Sequence, residues 1–318
     1  MDVSEDDLLA AIRKVLAGAV EGVVVDVGDD AAVVRLGSGD LVLTTDALVE
    51  GTHFDRTLTT PRDLGAKAIS VNVSDVAAMG GSPRHVLCAL TLSEDVDAAW
   101  VMELLGGMRE ACDGYACSLV GGNLARGSEV SLAVTVTGEV ARSRAVTRAG
   151  AHPGDVIVVT GDLGSAAAGR RIRATQRRFD EDDLASIRRA ERPTARVAEG
   201  QVLAGHGATA MIDVSDGLGL DLWRLCTESG VGARVWAESI PRGPRASLEE
   251  ALGGGEDYEL LATLPSEAAA AAAASAIGEA GGVRLSTIGE VLAGGELLQV
   301  EADGKERSLD PAGWDHFR

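Results

Sequence analysis

The chain has 318 residues, more than a single hydrophobic core usually organises, so two domains are expected. A formal net charge of −20, with 46% hydrophobic and only 3% aromatic residues, describes a soluble acidic protein and excludes a basic face for nucleic acid. A phosphate ester would be repelled by such a chain unless its carboxylates carry cations that reverse the local sign.

The amino terminus, MDVSEDDLLAAIRKVLAG, has acids where a signal peptide needs bases, and its apolar positions recur at helical spacing. It reads as an exposed amphipathic helix with Ser4 as cap. No apolar run is long enough to span a bilayer, and the four cysteines lack CxxC or zinc-ligand spacing, so a cytoplasmic chain with reduced thiols is expected. Next, VVVDVGDDAAVVRL and DLVLTTDALV are β-branched runs on either side of a GSGD turn, which predicts a hairpin. Pro61 to Met79 reads as a helix opened by Pro and closed by Gly80 and Gly81, and RHVLCALTL as a strand. A second helix covers Val96 to Asp113, and strands follow at CSLVGG and EVSLAVTVTGEV. The turn cluster HPGD then precedes VIVVTGDLGSAAAG, a fresh strand, loop and helix, which sets a domain boundary near residue 150. In the second half, EDDLASIRRAERP reads as a surface helix and ATAMIDVSDGLGLDLWRLCTESG as a strand entering a helix. The alanine run after Ser266 reads as a capped helix. The fold class is α+β, with domains at 1–150 and 151–318.

Asp75 is the first candidate for chemistry. Val71 and Met79 lie four residues to either side, so its helix face is apolar, and a carboxylate there must bond backbone amides, pair with a cation or hold a metal. Asp29, Asp30 and Asp46 lie at strand ends or turns of the hairpin. Hard oxygens so placed suit Mg²⁺, and Thr44 and Thr45 can add hydroxyl or backbone oxygens. Asp213, Ser215 and Asp216 sit where a strand enters a helix, a place that favours anions and equally suits Ser or Asp as a cap. Glu256 and Asp257 follow a glycine run, as in a loop that approaches a ligand or in a solvated turn. His53 stands beside the acidic hairpin, placed to meet a substrate or to hydrogen-bond its own turn. GGNLARG and TGDLGSAAAG are glycine-rich, but neither is a Walker A loop or a dinucleotide fingerprint.

Taken in order, GDDAAV, TTDALVEGTHF, GAKAISVNVSDVAAMGGSP, VGGN, TRAGAHPGD, TGDLGSAAAG, IDVSDGL, GGGEDYEL and GWDHF resemble the thiamine-monophosphate kinase family almost end to end. SDGL and GD are shared with the wider superfamily of aminoimidazole ribonucleotide synthetase and selenophosphate synthetase; VEGTHF, GGEDYEL and GWDHF together narrow the match. The resemblance implies a two-domain aminoimidazole ribonucleotide synthetase-like fold, each domain a mixed sheet with packed helices, and a homodimer formed through the first domain's sheet. It implies transfer of the ATP γ-phosphoryl group to thiamine phosphate, assisted by several Mg²⁺ ions. Asp30, Thr44, Thr45, Asp46, Asp75, Asn123, Asp213 and Asp216 would be metal ligands. Gly122, Asn123, Arg148 and Ser215 would bind ATP, and His53, Glu256 and Trp314 would bind thiamine phosphate. One departure stands out. The family's GGDT is GGNL here, so Asn123 replaces a carboxylate and Leu124 a hydroxyl. Two other readings fit the same motifs: an ATP-dependent superfamily enzyme with a different small substrate, and a relative that binds nucleotide or thiamine phosphate without turnover.

Overall fold

The computed structural model describes residues 23–25, 29–37, 39–175 and 177–314. The expected amino-terminal helix, and the part of GWDHF beyond Trp314, lie outside them. The first sheet comprises β1 (Val23–Val25), β2 (Ala32–Leu36), β3 (Gly39–Val49), β4 (Ser82–Leu92), β5 (Ser118–Arg126) and β6 (Ser131–Ala141). Its order is β1-β2-β3-β6-β4-β5, with only β4 and β5 parallel, so it is mixed. The expected hairpin is β2–β3.

Helices α1 (Pro61–Ala78) and α2 (Ala98–Gly114) lie on one face of this sheet. Thr60 caps α1 by accepting from the Asp63 amide, and Pro61 stands at N1, where its missing N–H is no loss. Asp97 caps α2 by accepting from the Trp100 amide, so α2 begins two residues later than the sequence suggested. The two helices meet through glycine. A Cβ on Gly65 would lie 2.0 Å from the Leu104 carbonyl oxygen. The opposite face of the sheet presents exposed Thr45, Ala47, Leu87, Ala89 and Ala133.

The second sheet holds β7 (Val156–Thr160), β8 (Ala210–Asp213), β9 (Gly232–Trp236), β10 (Leu260–Leu264), β11 (Leu285–Leu292), β12 (Leu297–Val300) and β13 (Glu306–Ser308). The order is β13-β12-β9-β11-β7-β10-β8, and only β12–β9 is parallel. The helices of this half are α3 (Ser165–Arg173), α4 (Glu181–Glu191), α5 (Val197–Gly205), α6 (Leu218–Ser229), α7 (Leu248–Gly253) and α8 (Glu267–Glu279). Ser266 caps α8 as expected, through the Ala269 amide.

Each sheet has its own apolar core, and a third cluster joins them: Ala77 and Ala78 of α1 pack with Val158, Leu203, Met211 and Leu260. Helix α1 is therefore buried on every side. From Leu64 to Ala78 every residue except Asp75 is buried, which explains the preponderance of small side chains along it. Among the described residues no helix is long and apolar enough to cross a membrane, and all four cysteines are buried and free.

Candidate active site

Three carboxylates from separate elements converge where the two halves meet. Asp75 comes from the last turn of α1, Asp213 ends β8, and Asp30 precedes β2. One oxygen of each lies within 4.8 Å of the others. The Thr44 hydroxyl on β3 donates to Asp75 Oδ2 at 2.5 Å, and the Ser74 hydroxyl donates to Asp213 Oδ2 at 2.6 Å. Burial first, and then the charges of Asp213 and Asp30, push the Asp75 carboxyl well above its ordinary range. Burial and Asp30 do the same to Asp213. Without a cation, such a group is under mutual repulsion. An all-oxygen set of carboxylates at this separation is what a hard divalent cation requires, so the residues present fit Mg²⁺.

Arg148 grips Asp30 through two hydrogen bonds, Nη2 to Oδ1 at 2.9 Å and Nε to Oδ2 at 3.1 Å, and its amide donates to Asp29 Oδ2 at 3.0 Å. Burial, then the Asp30 charge, raises Asp29 to about 7. Asp30 is thus held from one side by a guanidinium while it faces two carboxylates on the other.

Asp216 and Ser215 lie just beyond β8, but neither caps the following helix. Gly217 occupies that position, with φ +123° and no side-chain cap. Asp221, inside α6, reaches back to accept from the Asp216 amide at 3.0 Å and the Gly217 amide at 3.1 Å. That arrangement leaves the Ser215 and Asp216 side chains at a cavity of about 340 Å³, which Asp46, His53, Glu256 and Trp314 also line. His53 accepts the Val49 amide on Nδ1 at 3.1 Å, which places the ring proton of the neutral form on Nε2. Trp314 is held by its amide, which donates to the Asp216 carbonyl at 3.0 Å. A neighbouring cavity of about 430 Å³ shares Thr52, His53, Arg170 and Glu256 with the first and adds Phe54, Leu58 and Ile187. A larger cavity of about 840 Å³, between the β2–β3 turn, the end of β6 and α5, is lined by none of the predicted site residues.

The remaining expected residues stand apart. The Thr45 side chain is on the open face of the sheet, where its hydroxyl meets the Val134 carbonyl at 3.0 Å and Thr135 Oγ1 at 3.1 Å. Gly122 and Asn123 lie on edge strand β5, in the row Asp46–Val134–Cys88–Gly122. Three strand spacings, roughly 14 Å, separate them from β3 within one chain.

Residues not singled out from the sequence also shape the site. Lys67, Arg170, Ser74 and Asp221 each bond a predicted site residue directly. Lys67 carried a signal: Lys67, Val71 and Asp75 form one i, i+4, i+8 row of α1.

Residues 28–140 match the family described as AIR synthase related protein, N-terminal domain, and residues 152–299 match its C-terminal domain counterpart. The chain is 36% identical over 327 aligned residues to the thiamine-monophosphate kinase of Aquifex aeolicus, covering 99% of each. It is 39% identical over 304 residues to that of Escherichia coli K12, covering 92% of this chain and 91% of the relative. The solved structure of AaThiL complexed with AMPPCP and TMP superposes with a TM-score of 0.86 at 36% identity, covering 99% of this chain and 97% of that one. Hydrogenase maturation protein HypE in complex with ATP, at 19% identity, TM-score 0.68 and coverage of 97% and 92%, shares the fold alone. Two mixed sheets with packed helices, an acidic site between them and this similarity over nearly the whole chain agree: the chain belongs to the thiamine-monophosphate kinase family, enzymes with AIR synthase-related domains.

Proposed function

We propose that the chain transfers the γ-phosphoryl group of ATP directly to thiamine phosphate, giving thiamine diphosphate and ADP. The observation that carries this reading is the convergence of Asp30, Asp75 and Asp213 within 4.8 Å, next to a cavity containing His53, Glu256 and Trp314. Asp30, Asp75 and Asp213 would hold Mg²⁺, with Asp46, Asp216, Thr44 and the Thr45 backbone supplying further oxygens. Bound there, the metal ions would neutralise phosphate charge and polarise the transferring group. Every other requirement falls to the protein. A phosphate oxygen of thiamine phosphate, already deprotonated near neutral pH, forms a bond to the γ-phosphorus as the bond to the β,γ-bridging oxygen breaks and ADP leaves. No side chain has to take a proton, which is consistent with His53 using Nδ1 to accept a backbone amide. Arg148 and Ser215 would contact ATP. Trp314, half exposed at the cavity mouth, would lie against the heterocycle.

The domain boundary near residue 150 is supported by the change of sheet between Ala141 and Val156. A homodimer through the first sheet is supported by its open face of Ala, Thr and Leu, and by the position of Asn123. That residue stands far from Asp46 in its own chain, so it would serve a site only across a subunit boundary. Asn123 also favours one second reading, a binder without turnover, since an amide brings no charge to a metal.

The assay incubates purified protein with ATP, thiamine phosphate and Mg²⁺ and follows thiamine diphosphate and ADP, with EDTA as control. Metal-dependent thiamine diphosphate is the expected result. Binding of both ligands with no product would leave the binder.

A further inference from the structure

Glu256 is held in an unusual way. It has φ +63°, between Gly255 at φ +62° and, two residues on, Tyr258 at φ +51°. Left-handed backbone in a non-glycine residue costs about 1 kcal/mol and persists only where surroundings impose it. Here they do. The Glu256 amide donates to the Ser215 carbonyl at 2.6 Å, the Tyr258 amide to the Val214 carbonyl at 2.9 Å, and Asp257 accepts from the Gly164 amide at 2.6 Å and the Ala166 amide at 3.2 Å.

The carboxylate is held by two cations of different character. Arg170, on α3, bonds one oxygen and also donates to the Gly254 carbonyl at 2.5 Å; it belongs to the same half of the molecule, and its side chain is 44% exposed. Lys67 comes from α1, in the other half. Its side chain is 5% exposed, and its Nζ lies 2.5 Å from Glu256 Oε1. Lysine is seldom so buried unless paired, because desolvating the ammonium is costly. Burial alone would raise the Glu256 carboxyl, but Lys67 first and then Arg170 outweigh it and bring it below its ordinary range.

The position of Lys67 along α1 gives the contact its meaning. Asp75, in the carboxylate cluster, is eight residues further on the same row, about 12 Å at the helical rise. Helix α1 is packed on all sides, so it spans rigidly from the carboxylate cluster to the Glu256 loop. Thiamine phosphate carries its phosphate and its cationic ring system at opposite ends. Given Glu256 as a substrate contact in the function proposed above, we infer that Lys67 is a positioning residue: it fixes the Glu256 carboxylate for the ring end of the substrate, at a distance from Asp75 that α1 sets. Without Lys67 the carboxylate would keep only the half-exposed Arg170, on its other oxygen, and Oε1 would lose the partner that fixes its direction at the cavity wall.

The test compares wild type with Lys67→Met and Lys67→Arg, measuring KM for each substrate, kcat, melting temperature, and the Kd for thiamine phosphate alone by calorimetry. Lys67→Met should raise KM and Kd for thiamine phosphate about tenfold, leave KM for ATP within about twofold, and be largely rescued by Lys67→Arg; tenfold is the scale of one lost charge-assisted contact. If the melting temperature falls while KM and Kd for thiamine phosphate stay at wild-type values, Lys67 is only a structural clip and the positioning role is wrong. If Lys67→Met does not fold, Lys67→Gln, which keeps a donor toward Glu256 and removes the charge, replaces it with the same criteria. A wild-type protein that makes no thiamine diphosphate would refute the proposed function, whereas the Kd comparison still decides the role of Lys67.

Discussion

Replacing Asp75 by Asn should make the metal-free protein more stable while abolishing turnover. Two unit charges 4.8 Å apart repel by about 3.5 kcal/mol at an effective dielectric constant of 20, and Asp75 faces both Asp30 and Asp213. Partial protonation relieves some of this, and the Asn side chain forfeits part of the bond from Thr44, worth about 1 kcal/mol. A net gain of about 1–3 kcal/mol remains, or about 2–5 °C in melting temperature for a chain of 318 residues. The pH dependence has a definite sign. Asp75 and Asp213 bind protons more tightly folded than unfolded, so the wild type in EDTA should lose stability as pH rises above the ordinary carboxylate value of 3.8, and Asp75→Asn should lose less. Thermal melts across pH in EDTA and in Mg²⁺ check this. Mg²⁺ should raise the wild-type transition and move the variant far less. An Asp75→Asn protein that melts below wild type in EDTA at neutral pH would refute the reasoning, because the carboxylates would then not be repelling one another.

Three more outcomes follow from other parts of the structure. Asn123→Asp should preserve or raise turnover and lower the Mg²⁺ concentration for half-maximal rate, read from initial rates against metal; a sharp loss would mean the amide is suited to this site. Ala89→Arg, on the open face of the first sheet, should convert a dimer to a monomer in light scattering while leaving far-ultraviolet dichroism unchanged; a dimer that survives would place the interface elsewhere. Asp257→Ala removes the acceptor for the Gly164 and Ala166 amides at the start of α3, and should cost about 1–3 kcal/mol in denaturant unfolding. No loss would mean water replaces the carboxylate.

Much of the first half was legible in the sequence because its signals are local. The β2–β3 hairpin follows from two β-branched runs and a glycine turn, and α1 from Pro61 and the closing Gly80. Helix α5 and strands β9, β11, β12 and β13 were not anticipated, since their apolar positions are set by long-range pairing rather than by a period visible along the chain. Whether Ser215 or Asp216 caps the following helix was left open in the sequence, and neither does, for a similar reason. Asp221, four residues into α6, supplies the cap from inside the helix, so Ser215 and Asp216 line the cavity, with Asp216 paired to Arg224 at 2.5 Å. The carboxylates themselves were readable as residue types in motifs, yet only folding brings Asp30, Asp75 and Asp213 to one point from sequence separations of 45 and 138 residues. Lys67 illustrates the other limit. Its helical row with Asp75 was present in the sequence, but its partner, 189 residues away, was not.

Helix α1 belongs to both lobes at once, with one flank against the first sheet and the other against α5 and β8. Neither lobe can open without stripping part of that helix, so the two should come apart as a single cooperative unit despite their separate sheets. A gene split in the linker between Ala141 and Val156 would leave the amino-terminal piece with an apolar helix flank facing water. That piece would be prone to aggregate until its missing half arrived.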